Sequence, residues 1–143
     1  MSATHQAIAL TRLAAEAAAS KKGGDLVAFD VSEQLGITDV FLIVTATNER
    51  QVGAVVDAVE ERLLGHSTKP LRREGGRENR WVLLDYGDVV VHVQHSDERQ
   101  LYALERLWRD CPRISLDGIE SAPVEGDEEG TAPGLLAGER PGR

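Results

Sequence analysis

One segment, Trp81–Val93, constrains this chain more than any other; it reads WVLLDYGDVVVHV. Two runs of aliphatic and β-branched residues flank Asp85-Tyr86-Gly87-Asp88, and turn residues between β-rich runs signal a hairpin. With Tyr86 and Gly87 as the loop, Asp85 faces Asp88, Leu84 faces Val89, Leu83 faces Val90, Val82 faces Val91 and Trp81 faces His92. Side chains alternate along a strand, so these residues sort onto two faces. Val82, Leu84, Val89, Val91 and Val93 make one purely aliphatic face, which is the core side. The other face carries Trp81, Leu83, Val90 and His92, with Asp85 and Asp88 at the turn. A large aromatic beside aliphatics and a polar rim suits an interface. The same face also suits cover by a helix, with Trp81 buried. Asp85 and Asp88 directly opposite each other repel mildly, and a cation from a partner or from a nearby arginine loop relieves that repulsion.

The flanking sequence supplies the rest of a domain. A first helix is expected over Thr4–Ser20, with Ile8, Leu10, Leu13, Ala14 and Ala17 as its apolar stripe. Lys21, Lys22, Gly23 and Gly24 end it with cations and flexible residues. Leu26–Val31 reads as a short strand. Val40–Thr45 is apolar on both faces and so is expected at the centre of the sheet. The second helix starts at Thr47 or Asn48, either of which can cap it. Val52, Val55, Val56, Val59 and Leu63 give it a core-facing stripe, and Gly65 a stop. A third strand is expected near Lys69–Glu74, before a polar loop with Arg72, Arg73, Arg77 and Arg80. The third helix follows Ser96, buries Leu101, Leu104 and Trp108, and ends before Pro112. The order α-β-β-α-β-β-β-α implies one α/β domain, a single mixed sheet of about five strands carrying three helices.

Length and composition set the limits. The chain has 143 residues, 41% of them hydrophobic, enough for one core. Its formal charge of −8 argues against general phosphate affinity as the binding principle. One cysteine, Cys111, excludes an internal disulfide and fits a reducing compartment. With no long apolar run and no signal-peptide pattern, the expectation is a cytoplasmic protein without a membrane span. The folded domain is expected over residues 1–112. Residues 113–143 hold six Gly, three Pro and seven acids against three arginines, and read as a disordered acidic tail.

Catalytic chemistry finds little support. A nucleotidyltransferase, the alternative function, needs clustered carboxylates for divalent metal and a Gly-Ser turn for phosphate. The turn before the second helix reads Ala46-Thr47-Asn48, and no third acid joins Asp85 and Asp88. His92 and His95 are three apart in a strand, so they point to opposite faces, and no cysteine pair supports a zinc site. Cys111 lacks a neighbouring base. No catalytic residue, metal or cofactor is expected. The four arginines either meet ribonucleic acid phosphates or form a solvated loop beside Glu74 and Glu78.

Trp81, Asp85-x-Gly87-Asp88-x-x-Val91-His92-Val93, then Arg99-x-x-Tyr102-x-Leu104-Glu105-x-Leu107-Trp108, together resemble the ribosomal silencing factor family (RsfS, or Iojap-like). Asp25–Val31, Thr38-Asp39 leading into Phe41–Thr45, and Thr47-Asn48-x-Arg50-Gln51-Val52 add matches in the same order. The resemblance covers about residues 4–110. It implies a nucleotidyltransferase-like fold without the active site, and a non-enzymatic protein. It further implies binding to the large ribosomal subunit through its protein number fourteen, with a minor ribosomal RNA contact. Such binding blocks association with the small subunit and represses translation when nutrients are scarce; members are also homodimers. Joined to the face assignment, it marks Trp81, Leu83, Asp85, Tyr86, Asp88, His92, Arg99 and Tyr102 as the partner surface. Tyr86 replaces an aliphatic residue common at this turn.

Overall fold

The structure, a computed structural model, describes residues 2–75, 78–102 and 104–119, with Leu101 and Tyr102 described in the backbone alone. In chain order the elements are α1 (His5–Ser20), β1 (Gly24–Asp30), α2 (Ser32–Leu35), β2 (Val40–Ala46), α3 (Glu49–Leu64), β3 (Arg72–Glu74), β4 (Trp81–Asp85), β5 (Val89–His95), α4 (Ser96–Tyr102) and α5 (Leu104–Leu107). The expected order holds, with one turn of helix, α2, added; the expected last helix corresponds to α4 and α5 on either side of residue 103, which lies outside the described residues, and it ends at Leu107, before Trp108. Asp30 organises that turn, its carboxylate accepting from the Ser32 backbone N–H and hydroxyl at 3.1 and 2.6 Å. Burial works against ionisation of Asp30, yet these bonds and one from the Ala3 N–H hold its carboxyl below the usual range.

The described strands form one mixed sheet in the order β1-β2-β5-β4-β3, with β2 and β5 parallel and every other pair antiparallel. β2 lies between β1 and β5, as its two-sided apolar character requires. Its Leu42 and Val44 face one core cluster while Ile43 faces another.

The first cluster lies between the sheet and the long helices α1 and α3. Asn48 caps α3, its Oδ1 accepting the Gln51 N–H at 2.8 Å. Thr47 instead bonds the Gln51 side chain. The stripe Val52, Val55, Val56, Val59 and Leu63 is fully buried, each residue contributing about 1.5–3 kcal/mol of transfer free energy. In α1 the stripe differs from expectation. Ile8, Leu10 and Leu13 are only partly buried, and the inner face is Ala7, Thr11, Ala14, Ala15, Ala17 and Ala18. α1 packs on α3 and β2 together, and small side chains let the backbones approach where leucines would not fit. Thr11 is tolerated there because its hydroxyl donates to the Ala7 carbonyl at 2.7 Å.

The hairpin differs by two residues in register. Asp85 pairs with Val90, Leu84 with Val91, Leu83 with His92, Val82 with Val93 and Trp81 with Gln94. The loop is therefore Gly87-Asp88, closed by the Tyr86 N–H donating to the Val89 carbonyl at 2.9 Å. Gly87 has φ of 88°, the left-handed conformation that the first position of a type II′ loop needs. Asp85 Oδ1 accepts its N–H at 2.8 Å. A slip of two preserves side-chain parity, so both face assignments survive, although Asp85 and Asp88 do not oppose each other.

The second cluster holds Phe29, Val31, Ile43 and Cys111, with Phe41, Leu104 and Trp108 partly buried against it. Leu104 and Trp108 thus pack as expected, whereas the Leu101 side chain lies outside the described residues. Burial pushes the Cys111 thiol up, against thiolate chemistry.

The expected boundary at Pro112 moves outward. Arg113 bridges to Phe29, the Ile114 N–H donates to the Ala28 carbonyl at 2.9 Å, and Ile114, Leu116 and Ile119 pack on the first cluster. The Arg12 guanidinium grips this strap through the carbonyls of Ser115 and Asp117, both at 2.7 Å. Residues 113–119 therefore belong to the folded body, because three apolar side chains offset the ordering of an otherwise polar run. The remainder of the expected tail, 120–143, lies outside the described residues.

Candidate functional site: the outer face of the β4–β5 hairpin

Trp81, Leu83 and Asp85 project from the sheet face opposite α1 and α3, together with Val90, His92 and Gln94 of β5. Over the neighbouring strands this face is covered. Phe41 of β2 meets Trp108 edge-on with ring centroids 5.3 Å apart, and meets His92 edge-on at 5.0 Å. β4 lies one strand further out, and there Trp81 and Leu83 remain half-exposed. Both arrangements open from the sequence thus occur on one face, helix-side cover over β2 and β5 and an accessible patch on β4.

With Glu74 and Gly75, Trp81 and Leu83 line an open pocket of about 310 Å³. Gly75 has φ of 83°, and a Cβ there would overlap the Trp81 carbonyl oxygen, so only glycine lets the β3–β4 connection pass this close. Trp81 is oriented from below: its indole N–H donates to His92 Nδ1 at 3.2 Å. His92 is 5% exposed, and burial lowers its pKa to about 4. The neutral ring therefore accepts at Nδ1 and carries its proton on Nε2. Gln94, opposite Trp81, is fully buried with no hydrogen-bond partner for either amide atom among the described residues.

The other expected surface residues divide. Asp85 is half-exposed and faces Arg72 at 3.6 Å, which supplies the cation from the arginine loop. Asp88 is exposed on the hairpin loop. Trp81 and Asp85, four residues apart along an extended strand, are separated by about 13 Å. Tyr86 does not belong to this face. It continues the core series Val82, Leu84, Tyr86 and is 8% exposed in the first cluster. Burial pushes its phenol up to about 12, and its hydroxyl has no hydrogen-bond partner among the described residues. His92 is likewise beneath the surface rather than on it. Arg99 is 9% exposed, and its guanidinium is committed to Glu105 at 3.0 Å and to the Thr45 hydroxyl. Tyr102 ends α4, and its side chain lies outside the described residues.

Arg72, Arg73 and Arg80 are ion-paired within the chain, with Glu74, Glu60 and Glu98 respectively; Arg77 lies outside the described residues. His95 sits apart from His92, its Nδ1 accepting the Asp97 N–H at 3.1 Å. Glu74, Gly75 and Gln94 escape sequence reasoning. Extending the alternation one residue past Val93 puts Gln94 on the Trp81 face; the approach of Gly75 depends on the β3–β4 pairing and has no local signal.

Residues 4–134 match the family model described as "Ribosomal silencing factor during starvation", a match that continues well past residue 110. The chain is 41% identical to the ribosomal silencing factor RsfS of Halalkalibacterium halodurans over 112 residues, covering 78% of this chain and 96% of that one. A crystal structure of a Chromobacterium violaceum protein superposes with a TM-score of 0.69 at 34% identity, covering 71% of this chain and 84% of that one. A mouse protein named "Mitochondrial assembly of ribosomal large subunit protein 1" is 29% identical over 87 residues, 59% of this chain and 38% of that one.

Proposed function

Because this chain belongs to the ribosomal silencing factor family, we propose that it docks on the large ribosomal subunit through that subunit's protein number fourteen. There it blocks association with the small subunit and represses translation under nutrient limitation. One observation supports this reading above others: Trp81 and Leu83 stay accessible on a sheet face whose β5 side chains, Val90, His92 and Gln94, are buried. An aromatic anchor beside an aliphatic wall, rimmed by Asp85 and Asp88, has the composition of a binding hot spot. Tyr102 completes the surface by resemblance. His92 and Arg99 enter the proposal as residues that support it from within.

The mechanism needs no chemistry. A bound domain occupies volume that the other subunit requires, so repression follows from occupancy, and the protein acts in the cytoplasm as a non-enzymatic regulator. The naming of the mouse relative for large-subunit assembly supports the choice of subunit. Among the described arginines of that loop, Arg72 and Arg73 are exposed enough for a minor ribosomal RNA contact, which has to displace Glu74 and Glu60. The free protein is proposed to be a homodimer, which light scattering measures directly.

Co-sedimentation with isolated large subunits tests the reading. W81A and L83A should each weaken binding by at least about tenfold, the typical loss at a hot spot, and restore subunit joining in a light-scattering assay. Wild-type protein that stays in the supernatant, or alanine variants that pellet and block joining like wild type, would refute it.

A further inference from the structure

The Trp81 surface rests on a chain of rings. Trp108, beyond α5, meets Phe41 of β2 edge-on, Phe41 meets His92 of β5 edge-on, and His92 accepts the Trp81 indole N–H on β4. The last link is diagonal, since the residue directly opposite Trp81 is Gln94 and the residue opposite His92 is Leu83. The Gln94 side-chain amide has no hydrogen-bond partner among the described residues, so it does not replace His92. The Trp81 and His92 ring centroids lie 6.1 Å apart with planes at 48°, a geometry set by the bond rather than by stacking.

We propose that His92 is the positioning residue of the partner surface: it never meets the partner, and its Nδ1 fixes the plane in which Trp81 walls the pocket beside Glu74. The inference rests on the reading that Trp81 and Leu83 meet the large subunit. A binding site is precise when its anchors are locked by the layer beneath them, and His92 has the means to do this. Its ring is buried against Phe41, and its neutral form is maintained by that burial. Without the bond, the indole N–H loses its anchor beneath the surface, and the ordering that His92 supplies in the free protein falls instead on docking, at a cost in affinity.

H92F keeps a ring of similar size and removes the acceptor. H92N offers an amide oxygen near the position of Nδ1. W81F leaves His92 intact and removes the donor, and so covers the case in which H92F folds poorly. In the free, full-length protein, the Trp81 indole proton should be protected from solvent exchange in wild type. It should lose protection and move upfield in H92F and regain both in H92N, with W108F assigning the two indole signals. Affinity for isolated large subunits should fall about three- to tenfold in H92F and W81F, the loss of one hydrogen bond, and return to within about twofold of wild type in H92N. Unchanged indole exchange in H92F, or wild-type affinity of H92F or W81F while W81A is released, overturns the positioning role and leaves the docking surface standing. A wild-type protein that does not bind large subunits removes the docking surface and this proposal together.

Discussion

Mild acid should destabilise this domain through the buried imidazole of His92. His92 has a folded-state pKa lowered from 6.5 to about 4 because burial penalises the charged ring. In the unfolded chain it titrates near the ordinary value. Between these two values the unfolded state binds more protons, so stability rises with pH across that window. The contribution is complete above about 6.5 and is lost as pH falls toward 4. At pH 5 the loss relative to pH 7.5 is about 2 kcal/mol, since each tenfold difference in proton affinity between the two states is worth about 1.4 kcal/mol. Protonation also removes the acceptor for Trp81, which acts in the same direction. With a urea slope of about 1.5 kcal/mol/M, the unfolding midpoint should drop by roughly 1.3 M between these pH values. H92F provides the control, since exposed carboxylates titrate equally in both proteins. The assay is urea unfolding followed by circular dichroism at several pH values, reading the difference between wild type and H92F. Parallel curves for the two proteins from pH 7.5 to 5 would mean that His92 carries no penalty for charging inside the fold.

Three further outcomes follow from the packing. N48A removes the α3 cap and should cost about 1 kcal/mol, measured by the same unfolding curves. A chain ending at Pro112 loses Ile114, Leu116 and Ile119 from the core and the carbonyls that Arg12 grips; it should lose about 2–4 kcal/mol against the full chain. G75A forces a Cβ into the Trp81 carbonyl at a left-handed position and should cost about 1–3 kcal/mol. Its affinity for large subunits should fall with it; calorimetry and co-sedimentation read the two effects separately.

The parts of this fold that are legible in the sequence are those governed by period. The α3 valines, the two-sided β2 and both faces of the hairpin follow from spacings of 3.6 and 2, and spacing survives small errors of register. Register itself is less legible because it depends on which residue the turn forces into the left-handed region. Gly87 belongs at the first loop position; placing it second moves every pair by two and puts Tyr86 on the loop instead of in the core. The buried face of α1 is hidden for a different reason. Hydrophobicity favours Ile8, Leu10 and Leu13, whereas close approach of three backbones favours alanine, and closeness is a tertiary property. The strap at 113–119 is masked by its surroundings, since its three apolar residues average into a glycine- and acid-rich stretch. At the candidate site, Trp81 and Leu83 are legible from alternation, while the burial of His92 and Arg99 depends on the cover brought over β2 and β5 from distant sequence.

That strap bears on how the molecule tolerates its own concentration. Along the outer edge of β1, the Asp30 N–H donates to the Pro112 carbonyl and the Ala28 carbonyl accepts from Ile114, so the Ala28–Asp30 end of that edge is closed to a foreign strand. At the other edge of the sheet, β3 offers only Arg72, Arg73 and Glu74, all exposed. A short charged edge and an occupied one are the usual protection against sheet-to-sheet growth. The described sheet is thereby guarded at its edges while the Trp81 face of β4 stays uncovered. The proposed contact through the patch would then involve side chains on a sheet face, where geometry selects the partner, and not backbone pairing, which selects for almost nothing.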